Sequence, residues 1–374
     1  MNRIAACPAA ERGLIFEETA ARRNIAAPVV EKDFWVCWML GLLFGHEEWG
    51  EVLLFKGGTA LSKVYGLIGR FSEDIDLSIS PAHLGIPEAE IEAADTRHKR
   101  DHWRQQLEQA CRQWVVGELQ PVLEQTIAAV LGRPSRGDAW LQFEIDKTTR
   151  SPSLLFHYAS PLPAGSDYIE RSVKLEFGSL TDQRPVGRHA VRPWLADTLI
   201  GDNDDMRCEV VALEVERAFW EKATILHAEY HRAPGSPAPG RYARHYSDVA
   251  AMAKTAEATR ALENPDMRRR VVDWKHLFSP EHGPAMTWPD PALFAWCRRT
   301  SGTQNWPATM WPCARCFSTT PRHLLPGCWP TFVTWRRAST ARYNSNAPLV
   351  VEQSGFGNIV AVWCSRGDRA LPQG

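Results

Sequence analysis

No apolar run in the 374-residue chain approaches the roughly 18 residues that a membrane-spanning helix needs, so no membrane partner is expected. The opening segment MNRIAACPAAERG has no long apolar stretch of the secretory kind, and the expected location is cytoplasmic. The nine cysteines are odd in number and lack a framework spacing, which argues against a disulfide scaffold and for free thiols. Cys37, among apolar neighbours, reads as core. The twelve histidines show no HExxH or paired metal spacing, and neither a G-x-S-x-G elbow nor a Walker-type GK[ST] occurs, so the markers of zinc proteases, α/β-hydrolases and P-loop enzymes are missing. Charge of one sign is lacking too. A formal net charge of −1 with 44% hydrophobic residues gives no global field toward nucleic acid.

What is present is enough chain for two domains. Residues 12–46 read as helices, with Val36, Leu40 and Leu43 on one stripe of VVEKDFWVCWMLGLLFG. EVLLF then reads as a short strand, Lys56-Gly57-Gly58 as a turn, TALSKVYGLIGRF as a helix, and DIDLSIS, with Ile75, Leu77 and Ile79 alternating, as a second strand. Helices are expected as an insertion near 93–131, interrupted at Pro121, and strands return in WLQFEID, SLLFHY and YIERSVKLEFGSL. An α+β unit with a helical insertion follows for residues 50–180, within a first domain of residues 1–200 that includes the N-terminal helices. Residues 210–232 are expected as one long helix, with a Gly/Pro loop and a helix around RHYSDVAAMAKTA after it, giving a helical domain over 201–287.

One segment carries chemistry. Phosphoryl transfer from a nucleoside triphosphate needs a cradle for the phosphates and a cation that neutralises charge at the attacked phosphorus and the leaving pyrophosphate. In FKGGTALSKVYGLIGRFSEDIDLSIS, Gly57 and Gly58 permit a tight turn, and the following helix directs free N–H groups at the same place. Thr59 is placed to cap that helix and donate, and Lys63, four residues on, shares its face and is within reach of phosphates. Asp74 and Asp76, two apart on a strand, direct both carboxylates to one side, where they can share Mg²⁺. A GG turn alone is usually only a turn, and an Asp-x-Asp alone a solvated strand; the combination carries the reading.

The wording of VVEKDFWVCWML, FKGGTALSKVY and RFSEDIDLSI is similar to the AbiEii/AbiGii toxin family of nucleotidyltransferases, within the polymerase-β-like superfamily, from at least Glu31 to about Asp248. The resemblance implies a polymerase-β-like core with a mixed sheet, a following helical domain, and a nucleotide in the cleft between them. It implies a third carboxylate from a later strand, for which Glu176 is the candidate, with Lys174 on the same face. It also implies a Lys on a later helix and an Arg-x-x-x-Asp segment, which here look like Lys222 and RHYSD, with Asp248 holding Lys222 or the nucleotide. Arg70 stays open between pairing with Glu73 and touching a phosphate. The implied reaction moves a nucleoside monophosphate from a triphosphate, with Mg²⁺, to an RNA 3′ end, tRNA foremost, so that the altered tRNA cannot be charged; a cognate antitoxin is the implied protein partner. A small-molecule or protein hydroxyl as acceptor, and a degenerate fold that only binds an antitoxin, are the other readings.

Residues 288–374 differ from everything before. They hold 7 of the 16 Trp, 5 of the 9 Cys, 9 Arg, no Lys and 3 acidic residues, so they carry +6 against −7 for residues 1–287. A basic nucleic-acid arm and a reading-frame change after about Phe278 both give such a composition, and an irregular tail is expected. Cys313, Cys316, His323 and Cys328 look somewhat like a zinc knuckle with a lengthened middle spacing, a pattern that a Cys-rich stretch produces by accident.

Overall fold

The structure, a computed structural model, describes residues 1–278 except 70, 135–136, 148, 164–169, 200–203 and 231–242, together with 331–333, 349–354 and 358–363. Three helices open the chain: α1 (Asn2–Ala6), α2 (Ala9–Arg23) and α3 (Ala27–Phe44). The short α4 (Trp49–Val52) leads into β1 (Leu53–Lys56), α5 (Gly57–Lys63) and β2 (Ile75–Ile79). α6 (Glu88–Glu92), α7 (Arg97–Trp114) and α8 (Gln120–Leu131) follow. Pro121 does not interrupt the helix pair as expected. A π-helical segment, Val115–Leu119, carries the backbone from α7 into α8, and Pro121 follows directly after it at the start of α8.

The remaining strands are β3 (Leu141–Ile145), β4 (Pro152–His157), β5 (Ser172–Gly178), β6 (Val186–Val191) and β7 (Cys208–Leu213). They join β1 and β2 in one mixed sheet of order β3-β4-β5-β2-β1-β7-β6. β2 runs parallel to β5 and antiparallel to β1, and β1 runs parallel to β7. Alternation sets its faces: Ile75, Leu77 and Ile79 are buried together with Leu175 and Phe177, while Asp74 and Asp76 are only partly covered. α3 packs on β5 and β7. Its burial is not confined to one stripe, for everything from Val30 to Leu40 is buried, Glu31, Lys32 and Asp33 included. Trp35 stacks on Tyr158 at 5.4 Å and meets Trp38 and Phe156 edge-on, and Trp38 lies tilted on Phe156, which ties α3 to the strands over an aromatic cluster.

Two features of this sheet differ from expectation. Residues 210–213 are strand, not helix, because Val210, Val211 and Leu213 are extended between β1 and β6, and the helix α9 (Val215–Tyr230) starts only afterwards. β6 had no strand signature: as an edge strand it alternates exposed and half-exposed residues and contains glycine.

The chain divides into two compact units, Met1–Ala218 with Arg269–Glu281, and Phe219–Arg268 with His282–Gly374. The second unit holds most of α9, then α10 (Ala243–Met252), α11 (Ala256–Glu263) and the start of α12 (Pro265–Phe278). Thr255 caps α11 by accepting from the Ala258 N–H, and the Trp220 indole donates to the Ala261 carbonyl at 3.1 Å. In the C-terminal stretch, expected to be irregular, the described residues form three antiparallel strands, β8 (Thr331–Val333), β9 (Leu349–Ser354) and β10 (Asn358–Trp363), in the order β8-β10-β9. Val350, Val351, Ile359, Val360 and Val362 supply the β-branched residues that favour extended backbone. The Gly/Pro loop and the Cys313, Cys316, His323, Cys328 pattern lie outside the described residues.

Candidate active site

Gly57 is the first residue of α5 and has φ +79°, which L side chains rarely adopt. A Cβ built on it would lie 1.8 Å from Asp76 Oδ2, so the carboxylate rests against the bare backbone of the turn. The glycine is therefore required twice, by its dihedral and by its neighbour. Gly58 follows in the same helix, partly covered. Thr59 does not cap: the N-cap residue is Lys56, with no side-chain cap bond, and the buried Thr59 hydroxyl instead donates to the Asp74 carbonyl at 2.5 Å and lies 2.9 Å from Ser72 Oγ. It fixes the start of β2, and with it Asp74, to α5.

Across the sheet Asp76 faces Lys56 of β1 on one side and Glu176 of β5 on the other, and Glu176 faces Ser153 of β4. The predicted third carboxylate thus stands in register beside the pair. Burial, followed by the nearby carboxylates of Asp76, Glu176 and Glu73, pushes Asp74 up to about 6. Burial also raises Glu176, against the pull of Lys174. The Lys174 ammonium is 2.7 Å from Glu176 and also paired with Asp146; although burial opposes its charge, the two carboxylates raise its pKa above the usual lysine range.

Lys63 is engaged elsewhere. Its ammonium is buried, 2.6 Å from Asp33 Oδ1, while Asp33 Oδ2 accepts the Trp194 N–H at 2.7 Å and the Trp194 ring lies 5.1 Å from Lys63 Nζ. The structure therefore does not bring Lys63 to Asp74 and Asp76; it pins the end of α5 to α3. Lys32 likewise pairs with Glu73 and donates to the Glu170 carbonyl at 3.0 Å, while Arg70 lies outside the described residues. Lys32 and Asp33 were not singled out from sequence. The signal was there, since three consecutive charges, Glu31-Lys32-Asp33, interrupt an otherwise apolar helix.

In the second unit Lys222 Nζ lies 2.9 Å from Asp248 Oδ2, with Asp248 fully buried and Lys222 nearly so. The pairing read from the two motifs is formed. Arg244, one turn earlier on α10, is exposed.

Among the described residues no three acidic, histidine or cysteine side chains close into a metal cluster. Glu176 is turned to Lys174, and the candidate ligands reduce to Asp74 and Asp76, for which no hydrogen bond or ion pair to another side chain is found among the described residues. Two half-covered carboxylates with an unbalanced negative charge are hard oxygen donors and fit a divalent cation.

An Asp-x-Asp strand seated against a glycine turn that opens a helix, with a third carboxylate in register on the adjoining parallel strand, defines a nucleotidyltransferase. The chain belongs to the family described as nucleotidyl transferase AbiEii toxin, type IV toxin–antitoxin system, which it matches over residues 41–300. That span contains every site residue named above from Gly57 to Asp248 and leaves the Glu31-Lys32-Asp33 segment ahead of it. A comparison with curated proteins finds no match. No described helix is long and apolar enough to cross a membrane.

Proposed function

We propose that this toxin-type nucleotidyltransferase moves a nucleoside monophosphate from a nucleoside triphosphate to an RNA 3′ end, with tRNA as the acceptor class, and releases pyrophosphate. The observation that carries the reading is the Asp74–Asp76 pair against Gly57, with Glu176 in register beside it. Asp74 and Asp76 would hold Mg²⁺, and Glu176 would join them if released from Lys174. When bound, Mg²⁺ supplies neutralisation of charge at the α-phosphate and the departing pyrophosphate.

The chain's own part is positional. Gly57, having no side chain, gives the Asp76 carboxylate room against the turn, and Thr59 holds Asp74 in place through its carbonyl. Lys222, oriented by the buried Asp248 that offsets its charge, would offer its remaining N–H donors to the nucleotide. An acceptor hydroxyl then needs alignment with the α-phosphate more than covalent help. A nucleotide added to tRNA would block charging and arrest growth, and a cognate antitoxin is the partner that restrains it.

The purified protein, incubated with each labelled triphosphate, Mg²⁺ and total RNA, is expected to label RNA of tRNA length and to lose that activity in EDTA. Label found on protein or on a small molecule, with none on RNA, would overturn the acceptor class. No label anywhere would overturn the transferase reading of the site.

A further inference from the structure

Resting on that reading, we propose that Lys56 contacts the triphosphate at the glycine turn. Lys56 is the last residue of β1 and the residue before Gly57; it is extended, partly exposed, and directly opposite Asp76 in the antiparallel register. Opposed residues of an antiparallel pair share a face, so Lys56 stands on the side of the sheet that carries Asp76 and Glu176.

The other lysines near this end are already neutralised. Lys174 is held by Asp146 and Glu176, Lys32 by Glu73, and Lys63 by Asp33. Lys56 has no ion-pair partner among the described residues. A triphosphate brought to a face rich in carboxylates meets repulsion that one divalent cation does not cancel. An unpaired ammonium beside the turn supplies attraction without first breaking an ion pair. Lys63, by contrast, would have to leave Asp33 buried and uncompensated to reach a phosphate, a costly exchange.

The test is equilibrium binding of ATP, CTP, GTP and UTP, in EDTA and with Mg²⁺, to the full-length protein and its Lys56→Gln and Lys56→Arg variants. Thermal unfolding confirms that each is folded. We expect Lys56→Gln to weaken the tightest-bound triphosphate at least about tenfold under both conditions. Lys56→Arg should recover most of that loss, and the corresponding nucleoside, which lacks phosphates, should bind all three proteins alike. In the transfer assay the loss should appear chiefly in KM for the triphosphate. If the wild type binds triphosphate and Lys56→Gln binds it equally well, or if nucleoside affinity falls in parallel, the assignment of Lys56 is overturned while the transferase reading stands. If the wild type binds no triphosphate, both fall.

Discussion

Asp74 carries the least favourable charge in the site. Its carboxyl is raised from 3.8 to about 6 by burial and by Asp76, Glu176 and Glu73. A raised folded-state pKa means that the folded protein binds the proton more tightly than the unfolded chain, so the stability is present below about pH 4 and is lost as pH rises through 6. Asp74→Asn should therefore stabilise the cation-free protein at pH 7.5, by at most about 3 kcal/mol, and have little effect near pH 4. Urea unfolding in EDTA at the two values checks this; an Asn variant less stable at pH 7.5 would show that the surroundings do not repel the carboxylate. Lys222 poses the complementary case. Lys222→Ala is expected to weaken triphosphate binding at least about tenfold, near 1.4 kcal/mol, measured by titration. An unchanged affinity together with lost stability would assign the Lys222–Asp248 pair to structure alone.

At the scale of elements, α5 is held at both ends. Its first residue works only as glycine: Gly57→Ala has to absorb the positive φ and a clash with Asp76 Oδ2, whereas Gly66→Ala, with φ +63° and no atom within 4 Å of its Cβ, bears the dihedral cost of about 1–2 kcal/mol alone. Unfolding and transfer measured on both should show Gly57→Ala losing activity and the larger share of stability, and Gly66→Ala staying active. At the other end, Lys63→Met leaves Asp33 buried without its partner, an expected loss of about 3–5 kcal/mol that a Lys63→Met, Asp33→Asn pair recovers in part. If the single variant unfolds like the wild type, Lys63 is free for another role. The turn, α5 and the Asp-x-Asp strand were legible because each rests on local chemistry, glycine at a tight turn and alternation along a strand. The fate of Lys63 was not, because helical spacing shows that Lys63 shares a face with Thr59 but not that Asp33, thirty residues earlier, lies opposite.

For the whole molecule, the α+β class was readable from the short apolar run of β1 and the apolar alternation of β2 and β5, while the mixed sheet came with the resemblance. β6 was not, since an edge strand with half its residues exposed has no pattern to distinguish it from a loop. The end of β7, residues 210–213, was absorbed into a helix because VVALEV is apolar enough for either state until its neighbours are known. Glu176 was placed by resemblance, and its register with Asp76 follows from a β2–β5 pairing across nearly a hundred residues that no local pattern encodes. The acidic balance of residues 1–287 also gives no whole-chain signal for an RNA acceptor, which is why the acceptor has to be measured.

The measurement that bears most directly on the central claim is the length of RNA at single-nucleotide resolution after incubation with triphosphate and Mg²⁺. Wild-type protein is compared with Asp74→Ala and Asp76→Ala, each shown to be folded. The account predicts RNA of tRNA length extended by the wild type and left unchanged by both variants. Extension by either variant at the wild-type rate would contradict the assignment of Asp74 and Asp76 as the centre of transfer.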